Sequence, residues 1–251
     1  MKQDERKILA LRSELEILRK KCHTLEKETV AQGRIVEFAK TAIRSLHPVP
    51  IPRHSQKVQE RKESAVLVGS CWHIGEVISK DEMGGLNEYN FDVFVRRYQY
   101  LIEKTIHNAK KFPVDELHVF LTGDMVSGII HEELESTNQL NIVEQAMLGS
   151  LITAQGIQEL ARAFPKVILT CVVGNHGRTQ KSKYFKHKQQ VNWDYVFYHN
   201  LALLLRGQKN VRVNIPLSFW AMVDVRGWKF LVMHGDLVKS WGGIPFVIER
   251  N

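Results

Sequence analysis

The chain is 251 residues long, 44% hydrophobic and 25% charged, which allows one full-sized domain plus an appendage. It contains no apolar stretch of membrane length and opens on a highly charged segment, so neither a transmembrane helix nor a signal peptide is expected. Cysteines at 22, 71 and 171 show no paired spacing, which excludes a disulfide framework and fits a reducing compartment: the cytoplasm, or the host cytoplasm if the protein is viral.

A formal net charge of +8 and a pI of about 9.4 suit a polyanionic partner, nucleic acid (DNA or RNA) first, against the plainer reading of a generally basic soluble protein. Residues 1–46 read as an N-terminal helical region. Within 5–32, Ile8, Leu11, Leu15, Leu18, Cys22 and Leu25 alternate in steps of three and four, the a/d seam of a coiled coil. The seam predicts a homodimer through 5–32; an amphipathic helix packed on its own domain is the alternative. Prolines 48, 50 and 52 then forbid helix, so 47–63 is a linker, and a single domain is expected over 64–251.

That domain begins with the apolar run Ala65–Val68, a buried-strand signature, followed by Gly69-Ser-Cys-Trp-His-Ile-Gly75. Cys71 and His73 are two apart, so in extended backbone their side chains share one side, and a soft thiolate beside an imidazole is a plausible start to a metal site. The segment 83–90 reads as a loop near the site edge, and Phe91, Phe94, Tyr98 and Ile102 mark the apolar face of a following helix. A second run, Leu117–Thr122, ends in Gly123-Asp124. His131 is open to two readings, an extra ligand or a surface histidine. A helix is expected over 138–164, with Gly149 and Gly156 counting against its continuity.

A third run, Val167–Val173, ends in Gly174-Asn175-His176 and contains Cys171, a core residue. Arg178, Lys181, Lys183, Lys186 and Lys188 then surround Tyr184 and Phe185, cations for phosphates and rings for unpaired bases. A nucleic-acid contact through Lys181, Lys183, Tyr184, Lys186 and Lys188 is expected; a solvated basic loop is the alternative. A helix starts at 192–194, with Asp194 as its N-cap. The segments 211–215, 218–225 and 228–233 alternate like strands and predict the antiparallel part of a second sheet. The last of them ends in His234-Gly235-Asp236. Four strand candidates thus each deliver a metal-capable side chain at the carboxyl edge, where open α/β sheets bind ligands.

The ordered set x-x-His, Gly-Asp, Gly-Asn-His and His-Gly resembles the calcineurin-like metallophosphoesterase superfamily over about residues 64–240. Trp72-His-Ile-Gly-Glu76 and Gly174-Asn-His-Gly-Arg178 look most like its phage-encoded members. The resemblance implies an α/β two-sheet sandwich flanked by helices, with a plain doubly wound sheet as the fallback. It implies two divalent metal ions (Mn, Fe or Zn) held by Cys71, His73, Asp124, Asn175 and His234, Asp124 bridging. It makes His176 and Arg178 the catalytic residues, one for the leaving oxygen and one for a phosphate oxygen. Cys71 stands where the family usually has Asp, with the lariat-debranching branch as precedent for Cys. No closing Gly-His-x-His follows His234, so a domain incomplete at its C-terminus, completed by another polypeptide, or degenerate is expected. The implied activity is a phosphodiesterase or nuclease acting through metal-activated water. The alternatives are a noncatalytic scaffold dimerised by its N-terminal helix, and a thiol enzyme with Cys71 as nucleophile and His73 as base.

Overall fold

The apolar runs of the sequence form a parallel sheet in a computed structural model that describes residues 62–180 and 186–237. Strand β1 (Glu63–Gly69) pairs with β2 (Val114–Leu121), β2 with β3 (Lys166–Cys171) and β3 with β4 (Val211–Asn214), in chain order. Each parallel step needs a crossover that returns the chain to the same end of the sheet. Helix α1 (Phe91–Ala109) serves β1 and β2, α3 (Ile142–Ala163) serves β2 and β3, and α4 (Trp193–Leu205) serves β3 and β4. A short helix α2 (Glu132–Thr137) precedes α3. In this register Gly69 pairs with Leu121 and Leu121 with Cys171, so the loops that follow three strands leave the sheet side by side.

The coiled-coil seam at 5–32, the linker up to 61 and three members of the basic run, Lys181, Lys183 and Tyr184, lie outside the described residues. The 211–215 segment departs from expectation. It was expected in the antiparallel sheet, but Val211–Asn214 pairs parallel to β3, because α4 carries the chain back across the sheet before it. The antiparallel sheet has two strands, β5 (Trp220–Val225) and β6 (Trp228–Met233), joined at Arg226-Gly227. Both turn residues have positive φ, 51° and 88°, which matches a two-residue turn to the twist of the strands. Ala221, Val225 and Val232 from this pair bury against Phe120 and Val172, so the second sheet covers one face of the first.

Helices α1 and α4 both pack on α3. Asn side chains cap the starts of these helices. Asn90 accepts from the Val93 amide at 2.9 Å, and Asn141 with Glu144 closes a reciprocal capping box at 3.0 and 2.8 Å. α3 runs unbroken through both glycines that count against it. A Cβ at Gly149 would lie 2.6 Å from Ile74 Cδ1 and 2.9 Å from Phe197 Cε2; one at Gly156 would lie 2.6 Å from Tyr98 Oη. The glycines are where α3 meets its neighbours, and tertiary contact overrides helix propensity. Among the described residues no helix is long and apolar enough to cross a membrane.

Alanine at Gly149 or Gly156 should therefore destabilise the protein by about 1–3 kcal/mol through overpacking, against the roughly 1 kcal/mol that Ala contributes in an open helix. Gly207→Ala, where a Cβ meets nothing within 4 Å, should be nearly neutral. Urea denaturation of the three variants checks the sign.

Candidate metal centre

The parallel register of β1 and β2 continues past the strand ends. The Thr122 amide donates to the Gly69 carbonyl at 2.9 Å, Cys71 to Gly123 at 3.0 Å, His73 to Asp124 at 3.0 Å and Ile74 to Met125 at 2.9 Å. Cys71, His73 and Asp124 sit in the left-handed region, at φ of 53°, 47° and 55°. Such a backbone costs of order 1–3 kcal/mol for each non-glycine residue and persists only when its surroundings enforce it. The extended backbone expected at Cys71–His73 is therefore absent. The ligand atoms converge by left-handed turns instead: Cys71 Sγ, a His73 ring nitrogen and an Asp124 carboxylate oxygen all lie within 4.8 Å of one another.

The Gly-Asp and Gly-Asn-His loops press directly together. A Cβ on Gly123 would run into the Gly174 amide, and a Cβ on Gly174 would run into Asp124 Oδ1. Two glycines on facing backbones are what this approach requires. The amides exposed by these turns converge on one fully buried side chain, Asp194. Its Oδ2 accepts from Asp124 at 2.8 Å and Gly174 at 2.9 Å, and its Oδ1 from Met125 at 3.0 Å and Val126 at 3.3 Å. Burial and the Asp124 charge push its pKa up to about 6 against the pull of the amides. The helix is capped by Asn192 instead, whose side chain accepts from the Asp194 amide at 2.8 Å and donates to the Gly174 carbonyl at 3.0 Å. Asp194 looks like a cap in the sequence, and nothing local signals that its carboxylate serves a loop seventy residues earlier.

His234 reaches the same carboxylate from β6. Its Nδ1 donates to the Thr122 carbonyl at 2.8 Å, which leaves Nε2 at 3.0 Å from Asp124 Oδ2 and 3.2 Å from Asn175 Oδ1. Donors each about 2.1 Å from one ion lie about 3.0–3.4 Å apart at octahedral to tetrahedral angles, and both separations from Nε2 fall in that range. Burial opposes charge on Asp124, but the hydrogen bond and charge of His234 and the His176 amide outweigh it and hold its carboxyl below the usual range. Burial likewise opposes charge on His234, but the Asp124 hydrogen bond holds its imidazole above the ordinary value. His73 is held below the ordinary value by burial and by the neighbouring His176, and a neutral imidazole is the ligating form. Its Nδ1 is buried without a hydrogen-bond partner, with Glu76 Oε2 at 3.5 Å, and its Nε2 is 4.0 Å from Asp124 Oδ2. The thiol of Cys71, the imidazole of His73 and the carboxylate of Asp124 form a mixed donor set of the kind that holds a divalent metal ion.

His176 stands beside this set. Its amide donates to Asp124 Oδ1 at 2.7 Å, its Nδ1 lies 2.9 Å from the Ser127 carbonyl, and its ring is 4.3 Å from that of His73. The exposed His131 ring lies 6.1 Å from His176. Arg178 is buried, with Nη1 on the Asn175 carbonyl at 2.7 Å and Nε on the Gln180 carbonyl at 3.0 Å. Of the basic run, Lys186 is exposed, whereas Lys188 is buried with its ammonium 2.6 Å from Asp236 Oδ2 and 5.4 Å from the Phe219 ring centre. Cys171 is buried in the core, and burial pushes its thiol far up.

No protein-family model matches the chain. It is similar to the SPbeta prophage-derived uncharacterized protein YonJ of Bacillus subtilis (strain 168), 25% identical over 230 residues that take in 87% of this chain and 54% of that protein. The chain thus spans about half the length of this relative. Among solved structures it is similar to phosphopantetheinyl hydrolase (PptH) from Mycobacterium tuberculosis, with a TM-score of 0.25 and 15% identity over 75% of this chain and 52% of that one.

Replacing Asp194 by Ala should lower stability by about 3 kcal/mol or more, since four buried amides lose their acceptor at roughly 1–3 kcal/mol each before relaxation. Urea denaturation measures it, and Asp81→Ala, which removes an exposed carboxylate and leaves the loops' acceptor in place, provides the comparison. Titration of the protein with Co²⁺ should give a thiolate charge-transfer band that Cys71→Ser removes while weaker binding through the remaining ligands persists. A band unchanged in Cys71→Ser would take the thiolate out of the site.

Proposed function

We propose that this chain is a metal-dependent phosphoesterase of the calcineurin-like kind, acting on phosphodiesters of nucleic acid. The observation that carries the reading is the position of Asp124. One buried, ionised carboxylate stands within 4.8 Å of Cys71 and His73 on one side and 3.0 Å from His234 on the other, with Asn175 beside His234. Cys71, His73 and Asp124 would hold one ion, and Asp124, Asn175 and His234 a second. Divalent ions there would polarise phosphoryl oxygens and lower the pKa of water to near neutrality.

The chain's own residues supply positioning and proton transfer. His176 is fixed twice, by its amide on Asp124 and by its ring on Ser127, so Nε2 is the nitrogen left to give a proton to the departing oxygen. Arg178 holds the carbonyl of Asn175 and thereby orients that ligand's loop. The positively charged composition supports a polyanionic substrate, with Lys186 as an exposed member of the basic run. The prophage-derived relative accords with the phage-type wording of the two motifs. The free thiols of Cys71 and Cys171 suit the host cytoplasm. Dimerisation through 5–32 would place two such sites in one particle.

Hydrolysis of bis(p-nitrophenyl) phosphate by the 251-residue protein with Mn²⁺, Fe²⁺ or Zn²⁺ tests the proposal. Turnover should fall at least about a hundredfold in Asp124→Ala, and about 10²–10⁴-fold in His176→Ala with metal binding retained. Nucleic-acid binding without hydrolysis in any of the three metals would identify a binding protein instead.

A further inference from the structure

Cys71 and His73 do not only face Asp124; they also line a cavity of about 330 Å³. Its other walls come from α1 and from the excursion between β1 and α1. That excursion is closed by the antiparallel bridge between Ile78 and Tyr89, with hydrogen bonds of 2.9 and 3.1 Å, and the Tyr89 hydroxyl donates to the Trp72 carbonyl. Tyr89 is thereby fixed in the cavity wall. Burial pushes its pKa up to about 12, so the hydroxyl remains a donor throughout the neutral range.

The wall is aromatic. The Trp72 ring centre lies 5.8 Å from that of Phe94 and 5.2 Å from that of Tyr98, and Phe94 stacks on Tyr98 at 5.9 Å. Tyr89 adds a further ring, with the exposed Arg97 guanidinium 5.7 Å from its centre. Glu76 contributes a carboxylate on the metal-cluster side. Ile78 and Leu101 are the aliphatic members.

Size, surface and polarity together select the occupant. The volume is at the small end of ligand pockets, roughly 300–1,000 Å³, enough for one base with its sugar. An acyl chain would match aliphatic walls and leave Glu76 and Arg97 without a use. A free sugar carries a hydroxyl on nearly every carbon and would need many polar partners, more than Glu76, Arg97 and Tyr89 supply. A nucleobase has both a π face for the aromatic wall and edge donors and acceptors for a carboxylate and a guanidinium.

We infer that this cavity is a nucleobase subsite, receiving the base of the nucleotide whose phosphate lies at the Cys71–His73–Asp124 cluster. The position of the phosphate rests on the phosphoesterase reading; the base specificity rests on the cavity alone. A base inside a duplex must leave the stack to enter such a cavity, at a cost in unpairing and unstacking, so single strands and unpaired ends are the favoured substrates.

Isothermal titration calorimetry of the 251-residue protein in Mn²⁺ tests this with adenosine 5′-monophosphate, ribose 5-phosphate and octyl phosphate. Adenosine 5′-monophosphate should bind at least tenfold more tightly than the other two. Tyr89→Ala and Arg97→Ala should each reduce that preference about fivefold or more, the scale of one lost stacking contact. Arg97 is exposed and forms no part of the core, so its variant remains informative if Tyr89→Ala fails to fold. Equal affinity for the nucleotide and ribose 5-phosphate, tighter binding of octyl phosphate, or an Arg97→Ala protein with its preference intact would overturn the subsite. Nucleotide preference in a protein that does not turn over bis(p-nitrophenyl) phosphate would uphold the subsite and remove the phosphoesterase reading. Turnover without base preference would do the reverse.

Discussion

The carboxylate of Asp194 is the point on which the candidate site depends. Turning two loops away from a parallel sheet breaks their hydrogen-bond ladder and leaves amides that face protein rather than water. Each such donor must find an acceptor or cost about 1–3 kcal/mol. Asp194 receives four of them, three from the Asp124 loop and one from Gly174. A neutral amide side chain could not replace it, because both oxygens must accept. Gln189 and Gln145 extend the same solution, accepting from the Val173 amide at 3.2 Å and the Gly128 amide at 2.9 Å. With its amides satisfied from behind, the Asp124 loop keeps a left-handed backbone that holds its carboxylate toward His234 and His73.

Two buried carboxylates in this arrangement also repel each other, and the Asp124 charge is one cause of the raised pKa of Asp194. The compensation differs on the two sides. Asp194 is surrounded by backbone dipoles, which stabilise its charge without carrying any of their own. Asp124 is met by imidazoles and by the His176 amide. On the two-metal reading its neutralising partners would change: the proton on His234 would be exchanged for a cation, since the same Nε2 would serve either. Asp194 fixes the backbone permanently, and Asp124 faces the exchangeable charge.

What the sequence revealed of this follows from the range over which each signal acts. Buried strands and the residues ending them are local, so Asp124, His176 and His234 were found at strand ends from the runs before them. The caps at Asn90 and Asn141 lie within one helical turn of what they bind. The amide clamp is not local: Asp194 is about seventy residues from its first partner and reads as an ordinary first-turn acid. Gly149 and Gly156 look like breaks because propensity acts on one helix, whereas their purpose is in Ile74, Phe197 and Tyr98. The 211–214 strand alternates as an antiparallel strand would. Only the crossover before it decides that it runs parallel.

The same limit applies to charge. Composition counts cations but not the direction in which they face. Arg178 is buried against the carbonyls of its own loop, and Lys188 is paired with Asp236 inside the fold. A buried ion pair of this kind contributes little net stability, because desolvation offsets attraction, but it strongly penalises any arrangement that separates it. Lys188 is the last cation of the basic run and Asp236 follows His234 by two residues, so the pair ties the loop after His176 to the segment carrying His234. Around the cluster the described polar groups include imidazoles, the Cys71 thiol, the Asn175 amide and the carboxylates of Asp124 and Glu76. On the phosphoesterase reading, a phosphate there would be met by bound cations and histidine protons rather than by Arg178 or Lys188, which are engaged within the fold. On that reading, binding of a polyanion would be salt-dependent, while the chemical step would depend on the metal.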